Sequence, residues 1–202
     1  MDIRPLTMTG KASLGVVSPD GKFVAYLQRD EAGLSIWLRV VATGSARQIV
    51  APVIGRTYHS LAVTANGSSV DFVARDKTRD WDLWRAPLLG DEPPKRIATG
   101  LWSAVGWSSD GRQMAFIRNR GYALVVANAD GSGERALATP RKGTQFHNEY
   151  ITGRTIDRPA WSPDGTRIML IAIDRTRPAN TGFDLVWIDS ASGAELRHSE
   201  GD

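Results

Sequence analysis

Three histidines, His59, His147 and His198, are the side chains best suited to proton transfer near neutral pH in this 202-residue chain. A Ser-His-Asp set would have to be assembled around one of them. Each lies in a different part of the chain, and no Gly-x-Ser-x-Gly elbow or other local signature accompanies any of them. Each reads as a polar surface residue in a loop. Asp76, Asp80 and Asp82 are spaced openly enough to face one cation, but Arg75, Lys77 and Arg79 interleave with them and oppose it. A calcium loop also needs more carboxylates and a glycine at fixed offsets, so this stretch reads as a solvated hairpin loop. Gly131-Ser132-Gly133 is glycine-rich but sits between two strand-like runs, with no following helix to offer its N-terminus to a phosphate. Cysteine is absent, which removes thiol catalysis and disulfides. The residues therefore predict no catalytic, metal-binding or cofactor-binding set, and a chain that is not an enzyme.

The elements that carry these residues recur. Val17-Ser18-Pro19-Asp20-Gly21, Val63-Thr64-Ala65-Asn66-Gly67, Trp107-Ser108-Ser109-Asp110-Gly111 and Trp161-Ser162-Pro163-Asp164-Gly165 place their glycines at intervals of 46, 44 and 54 residues. Asp-Gly or Asn-Gly between apolar runs is a hairpin signal, because glycine accepts the positive φ such a turn requires. An apolar run follows each turn, as in Phe23-Val24-Ala25-Tyr26 and Ile168-Met169-Leu170-Ile171. A charged loop comes next, then a second run that holds Trp37, Trp84 or Trp187 in three of the four copies, then a short closing strand. No stretch carries a helical period over a useful window. Four antiparallel strands per repeat of this length make a propeller blade, which hides its faces by stacking on neighbouring blades. The expectation is an all-β β-propeller of four-stranded antiparallel blades, about four of them present, at residues 14–50, 58–98, 102–138 and 158–198. Residues 139–157 form an inserted loop that explains the longest interval. Trp37, Trp84, Trp107, Trp161 and Trp187 fall at matching strand positions and read as wedges between blades, whereas Trp81 and Trp102 lie outside that pattern.

Stacked blades gather their loops on one face. The loops joining the second and third strands, with the inserted loop, make this face basic and dotted with aromatics. Its candidate partner-binding residues are Arg75, Arg79, Arg118, Arg120, Arg141, Phe146, His147, Tyr150, Arg175 and Arg177. Focused positive potential steers an acidic peptide, a glycan or an acidic protein surface onto such a face. Nucleic acid is not expected, since 25 Lys and Arg against 22 Asp and Glu leave a net charge of only +3. No apolar run is long enough to span a membrane, and no signal peptide is visible. Four blades lie at the low end of the propeller range. The chain thus reads as part of a larger ring whose open blade edges favour self-association.

Ser18-Pro19-Asp20-Gly21-Lys22-Phe23-Val24-Ala25-Tyr26 and Pro159-Ala160-Trp161-Ser162-Pro163-Asp164-Gly165 resemble the WD-like repeat of TolB-type propellers, a likeness that spans nearly the whole chain. The second copy departs from it, with Ala65-Asn66 in place of Pro-Asp. Leu6-Thr7-Met8-Thr9-Gly10-Lys11-Ala12, Ile36-Trp37-Leu38-Arg39-Val40-Val41-Ala42-Thr43-Gly44-Ser45 and Ala127-Asn128-Ala129-Asp130-Gly131-Ser132-Gly133-Glu134-Arg135 look like the C-terminal sensor propeller of acidobacterial-type serine/threonine protein kinases. That likeness implies a non-catalytic sensor or scaffold module in a periplasmic or extracytoplasmic position. None of the kinase's own motifs is present. TolB-like propellers also form the lid of prolyl-oligopeptidase-type serine peptidases, which gives the alternative of a lid without its catalytic domain.

Overall fold

The computed structural model describes residues 7, 9–77, 81–147, 158–177 and 183–199, and all four repeats in it are β-sheet. The first sheet orders β1 (Ala12–Val17), β2 (Phe23–Asp30), β3 (Gly33–Val40) and β4 (Ala46–Val50) in sequence. The second does the same with β5 (Thr57–Val63), β6 (Ser69–Arg75), β7 (Trp81–Pro87) and β8 (Lys95–Leu101). The third is built from β9 (Gly106–Trp107), β10 (Gln113–Arg118), β11 (Ala123–Asn128) and β12 (Arg135–Ala138). The fourth has five strands: β13 (Thr144–Phe146), β14 (Ala160–Trp161), β15 (Arg167–Asp174), β16 (Phe183–Asp189) and β17 (Glu195–Ser199). The one helical turn among the described residues is the 3-10 turn Asn119–Gly121. Among them no helix is long and apolar enough to cross a membrane.

The repeated turn works through a shared set of hydrogen bonds. Ser18 Oγ donates to Asp20 Oδ1 at 2.7 Å and accepts the Phe23 N–H at 3.0 Å, while Gly21 N–H donates to the Ser18 carbonyl at 2.9 Å. Thr64 with Asn66, Ser108 with Asp110 and Ser162 with Asp164 repeat the hydroxyl-to-side-chain bond at 2.8, 2.7 and 2.6 Å. The four glycines hold φ between 68° and 73°, where a Cβ would be strained. Asparagine fits the second copy because the turn uses a side-chain oxygen, which the amide supplies as well as a carboxylate. The Ser18 hydroxyl, then the Lys22 N–H, hold the Asp20 carboxyl down to about 2, and Ser162 and Thr166 do the same for Asp164.

The chain divides into two compact units, Met1–Thr99 and Gly100–Asp202. In the first, Leu27, Ile36 and Leu38 of the first sheet form one buried cluster with Leu61, Val70 and Phe72 of the second. In the other unit, Ile117, Leu124 and Val126 of the third sheet pack with Ile168, Leu170 and Val186 of the fourth. Strand alternation sorts the residues that make these cores from those on the opposite faces.

Part of the expected inserted loop differs from the sequence expectation. Thr144, Gln145 and Phe146 are not loop but the first strand of the fourth sheet, paired with Asp174, Ile173 and Ala172. β14 pairs with the same β15 further along, through Ala160 with Met169 and Trp161 with Ile168. The inner strand is thus split, and the inserted residues leave and rejoin one ladder. Residues 148–157 of the inserted segment, and Ile3 to Leu6 near the start, lie outside the described residues.

Candidate functional site

In the second unit, three connections bring the sequence-predicted residues together: the turn after β10, the end of β13 and the turn after β15. The first contains Asn119 and Arg120 in the left-handed region, at φ 52° and 54°, followed by Gly121 at φ 95°. Such a conformation costs a non-glycine residue roughly 1–2 kcal/mol. Gly121 is required by a close approach as well, since an added Cβ would lie 2.5 Å from both the Phe146 carbonyl oxygen and Gln145 Cγ. The Gln145 side chain then ties two loops: its amide nitrogen donates to the Arg120 carbonyl, and its oxygen accepts from Arg175 Nε at 2.8 Å. The Arg175 N–H also donates to the Gly143 carbonyl at 2.9 Å.

The face is less basic than the sequence suggests. Arg118 pairs with Glu134 at 2.7 Å, Arg141 with Glu195 at 3.3 Å and Arg177 with Asp174 at 3.2 Å. Arg118 also lies over the Phe116 ring, with 5.2 Å to its centroid. Arg118 and Arg141 tie separate segments of the chain, and Arg177 closes its own turn on Asp174. Arg120 and Arg175 are exposed and have no carboxylate partner among the described residues. Phe146 is 2% exposed and belongs to the core of its unit, so it offers no platform to a partner. Arg79 and Tyr150 lie outside the described residues.

Arg75 ends β6, the strand that leads into the corresponding turn of the second sheet. Its guanidinium lies over the Trp81 ring, 4.6 Å from the centroid, and its Nε donates to Thr57 Oγ1 at 3.2 Å. Against that ring packs His59, its centroid 5.0 Å away and tilted by 53°. His147 meets Phe183 in nearly the same way, at 5.1 Å and 57°. The register makes these counterparts: Tyr58 pairs Ala74, which pairs Asp82, just as Phe146 pairs Ala172, which pairs Asp184. Tyr58-His59 with Trp81-Asp82, and Phe146-His147 with Phe183-Asp184, are therefore one motif used twice.

Both histidines are buried, at 3% and 7% exposure, and neither is the polar loop residue that the sequence suggests. The signal in the sequence is the aromatic residue that precedes each histidine and each aspartate. Burial, reinforced by the Arg75 charge, pushes the His59 imidazole down to about 4. No ring nitrogen of His59 has a hydrogen-bond partner among the described residues. A neutral buried histidine of this kind is a packing group rather than a proton carrier at neutral pH.

A pH dependence follows. The folded His59 stays neutral where the unfolded side chain, near 6.5, takes up a proton, so stability is full above that value and is lost as pH falls through 6.5 towards 4. The loss from this group reaches about 3 kcal/mol at the acid end. Denaturant titrations of the wild type and His59→Phe from pH 7 to pH 4 should show the wild type losing more stability by that amount. Parallel pH profiles would remove His59 as the cause.

No protein-family model and no curated protein matches the chain. Solved structures do. TolB from Acinetobacter baumannii superposes with a TM-score of 0.64 at 18% identity, over 94% of this chain and 44% of its own. A TolB-type protein from Agrobacterium tumefaciens gives 0.67 at 18% identity, over 96% and 64%. A structure from a comparison of two prolyl endopeptidases and their inter-domain dynamics gives 0.68 at 12% identity, over 95% of this chain and 30% of its own. The chain spans roughly half the length of the two TolB structures. At these identities the likeness is one of fold: the four-stranded antiparallel sheets of this all-β chain are blades of the TolB-like β-propeller type.

Proposed function

We propose that the chain is a non-catalytic propeller module that docks an acidic peptide segment of a partner protein on its loop face. The observation that carries this reading is the pair of exposed arginines Arg120 and Arg175, tied to Gln145 through the Arg120 backbone carbonyl and the Arg175 Nε, and free of carboxylate partners among the described residues. Planar guanidinium forks suit bidentate recognition of carboxylates, and Gln145 fixes the backbone that carries one of them and the Nε of the other. The left-handed backbone at Arg120 supports the same idea, because strain of this kind persists where the surroundings hold a residue in place. Arg75 offers a comparable cation in the first unit.

The test is a titration of a fluorescein-labelled oligoglutamate peptide against the 202-residue chain at low and physiological salt. Arg120→Asn with Arg175→Gln, which keeps a residue suited to the left-handed turn and an amide beside Gln145, should weaken binding about tenfold or more, and added salt should weaken wild-type binding. A variant that binds as well as the wild type would sink the proposal.

The sequence likeness to the sensor propeller of acidobacterial-type kinases supports placing this module as the sensor part of such a protein. The superposition on prolyl endopeptidases supports a second reading, the lid of a serine peptidase. The reading frame around the chain separates them: a kinase domain and membrane helix ahead of it for the first, an α/β-hydrolase domain beyond it for the second.

A further inference from the structure

One face of the fourth sheet is apolar and open. β15 and β16 align Met169 with Trp187, Ile171 with Leu185 and Ile173 with Phe183 as cross-strand pairs. Leu185 is 43% and Phe183 40% exposed, and Met169, Ile171, Ile173 and Trp187 are half-buried. The repeat shows how unusual this is. Leu185 pairs the residue six places after its turn glycine, and the residues in the same place in the other sheets are Ile36, Leu83 and Leu124. Those three are 0%, 1% and 0% exposed. The position is built for burial and lacks its cover in only one sheet.

What covers it elsewhere is consistent. Within the first unit, the face bearing Leu27 and Ile36 packs on the next sheet's opposite face, through Phe72. Within the second, the face bearing Ile117 and Leu124 packs on the face bearing Leu170 and Val186. Two faces of that type are left by these pairings. The third sheet's carries Phe116 and Val125, 0% and 3% exposed. The first sheet's carries Tyr26, 6% exposed, and Trp37 as a cross-strand pair beside Val17, 60% exposed, so the rule points the open face of the fourth sheet to it. This face holds a groove of about 280 Å³, lined among others by Leu14, Val24, Tyr26 and Arg39. A bulge makes the groove's edge: the register shifts between Ser13 and Gly15, and Leu14, at φ 41°, is 38% exposed.

We infer that the open face of the fourth sheet takes the first sheet of a second copy of this chain. The contact is heterologous, front of one copy to back of the next, so it either closes into a ring or extends. It adds a blade-on-blade contact of the kind already present twice within each chain, and it does not depend on the arginine face.

The experiment is sedimentation velocity of the 202-residue chain over about a hundredfold concentration range. Leu185→Asp charges the front face at an exposed position. Leu14→Asp charges the back face with a residue that tolerates left-handed backbone. The wild type should associate with rising concentration, and each variant alone, folded by circular dichroism, should sediment as a monomer. Mixing the two should restore a one-to-one dimer, because each variant retains the face the other has lost. A monomeric wild type, an unaffected Leu185→Asp, a Leu14→Asp chain that still associates alone, or a mixture that stays monomeric would each overturn the inference.

Discussion

Replacing Gly106 with alanine is expected to destabilise the second unit by about 3 kcal/mol or more, among the larger effects a single methyl group produces. The added Cβ would run into the Pro159 carbonyl, whose carbon lies 2.8 Å from the Cβ position. Neither side can retreat easily. The Gly106 carbonyl accepts the Trp161 indole N–H at 3.2 Å and Gly106 is paired with Ala115 of β10, while Pro159 leads directly into β14, which is paired with β15. A comparison isolates the cause. Gly165 has positive φ but open space around its Cβ position, so Gly165→Ala should cost only about 1 kcal/mol from backbone strain. Equal losses in urea titrations of the two variants would mean that the collision at Gly106 is relieved by movement.

Arg85→Met is expected to cost the first unit about 3–5 kcal/mol, the range for a buried charge stripped of its partner. Arg85 reaches Asp71 through two bonds, at 2.7 and 3.0 Å, and Asp71 is only 2% exposed. Burial pushes the Asp71 carboxyl up despite the guanidinium beside it. Without Arg85 the carboxyl must either stay charged in a dry place or take a proton. The penalty should therefore shrink as pH falls. The double variant Asp71→Leu with Arg85→Met should recover most of the loss, because it removes both charges together. A double variant no more stable than Arg85→Met would show that packing, not charge, is at stake.

Much of this was legible from residue order. The four Ser/Thr-x-Asp/Asn-Gly turns announce their own geometry, since the hydroxyl, the side-chain oxygen and the glycine each have one job in the turn. The alternating runs after them identify the strands. Pairing across the chain was less accessible. β13 is three residues long, shorter than periodicity can register, and its assignment comes from the ladder with β15. Phe146 illustrates the cost: read as a loop aromatic it suggests a platform, whereas within a strand it belongs to the core. Charge was misjudged for a related reason. Counting arginines on a face gives its potential only if their partners are known, and Glu134, just ahead of β12, and Glu195, in β17, reach Arg118 and Arg141. The histidines were hidden because burial depends on what packs over a residue, and the aromatic partners Trp81 and Phe183 stand on another strand.

The split inner strand of the fourth sheet has a use in engineering. Phe146 and Ala160 are both anchored to β15, so the peptide between them leaves and re-enters at fixed points. Doubling the length of such an excursion adds only about 0.6 kcal/mol of closure entropy. A foreign epitope, an affinity tag or a reporter sequence can be spliced there while the framework keeps its register.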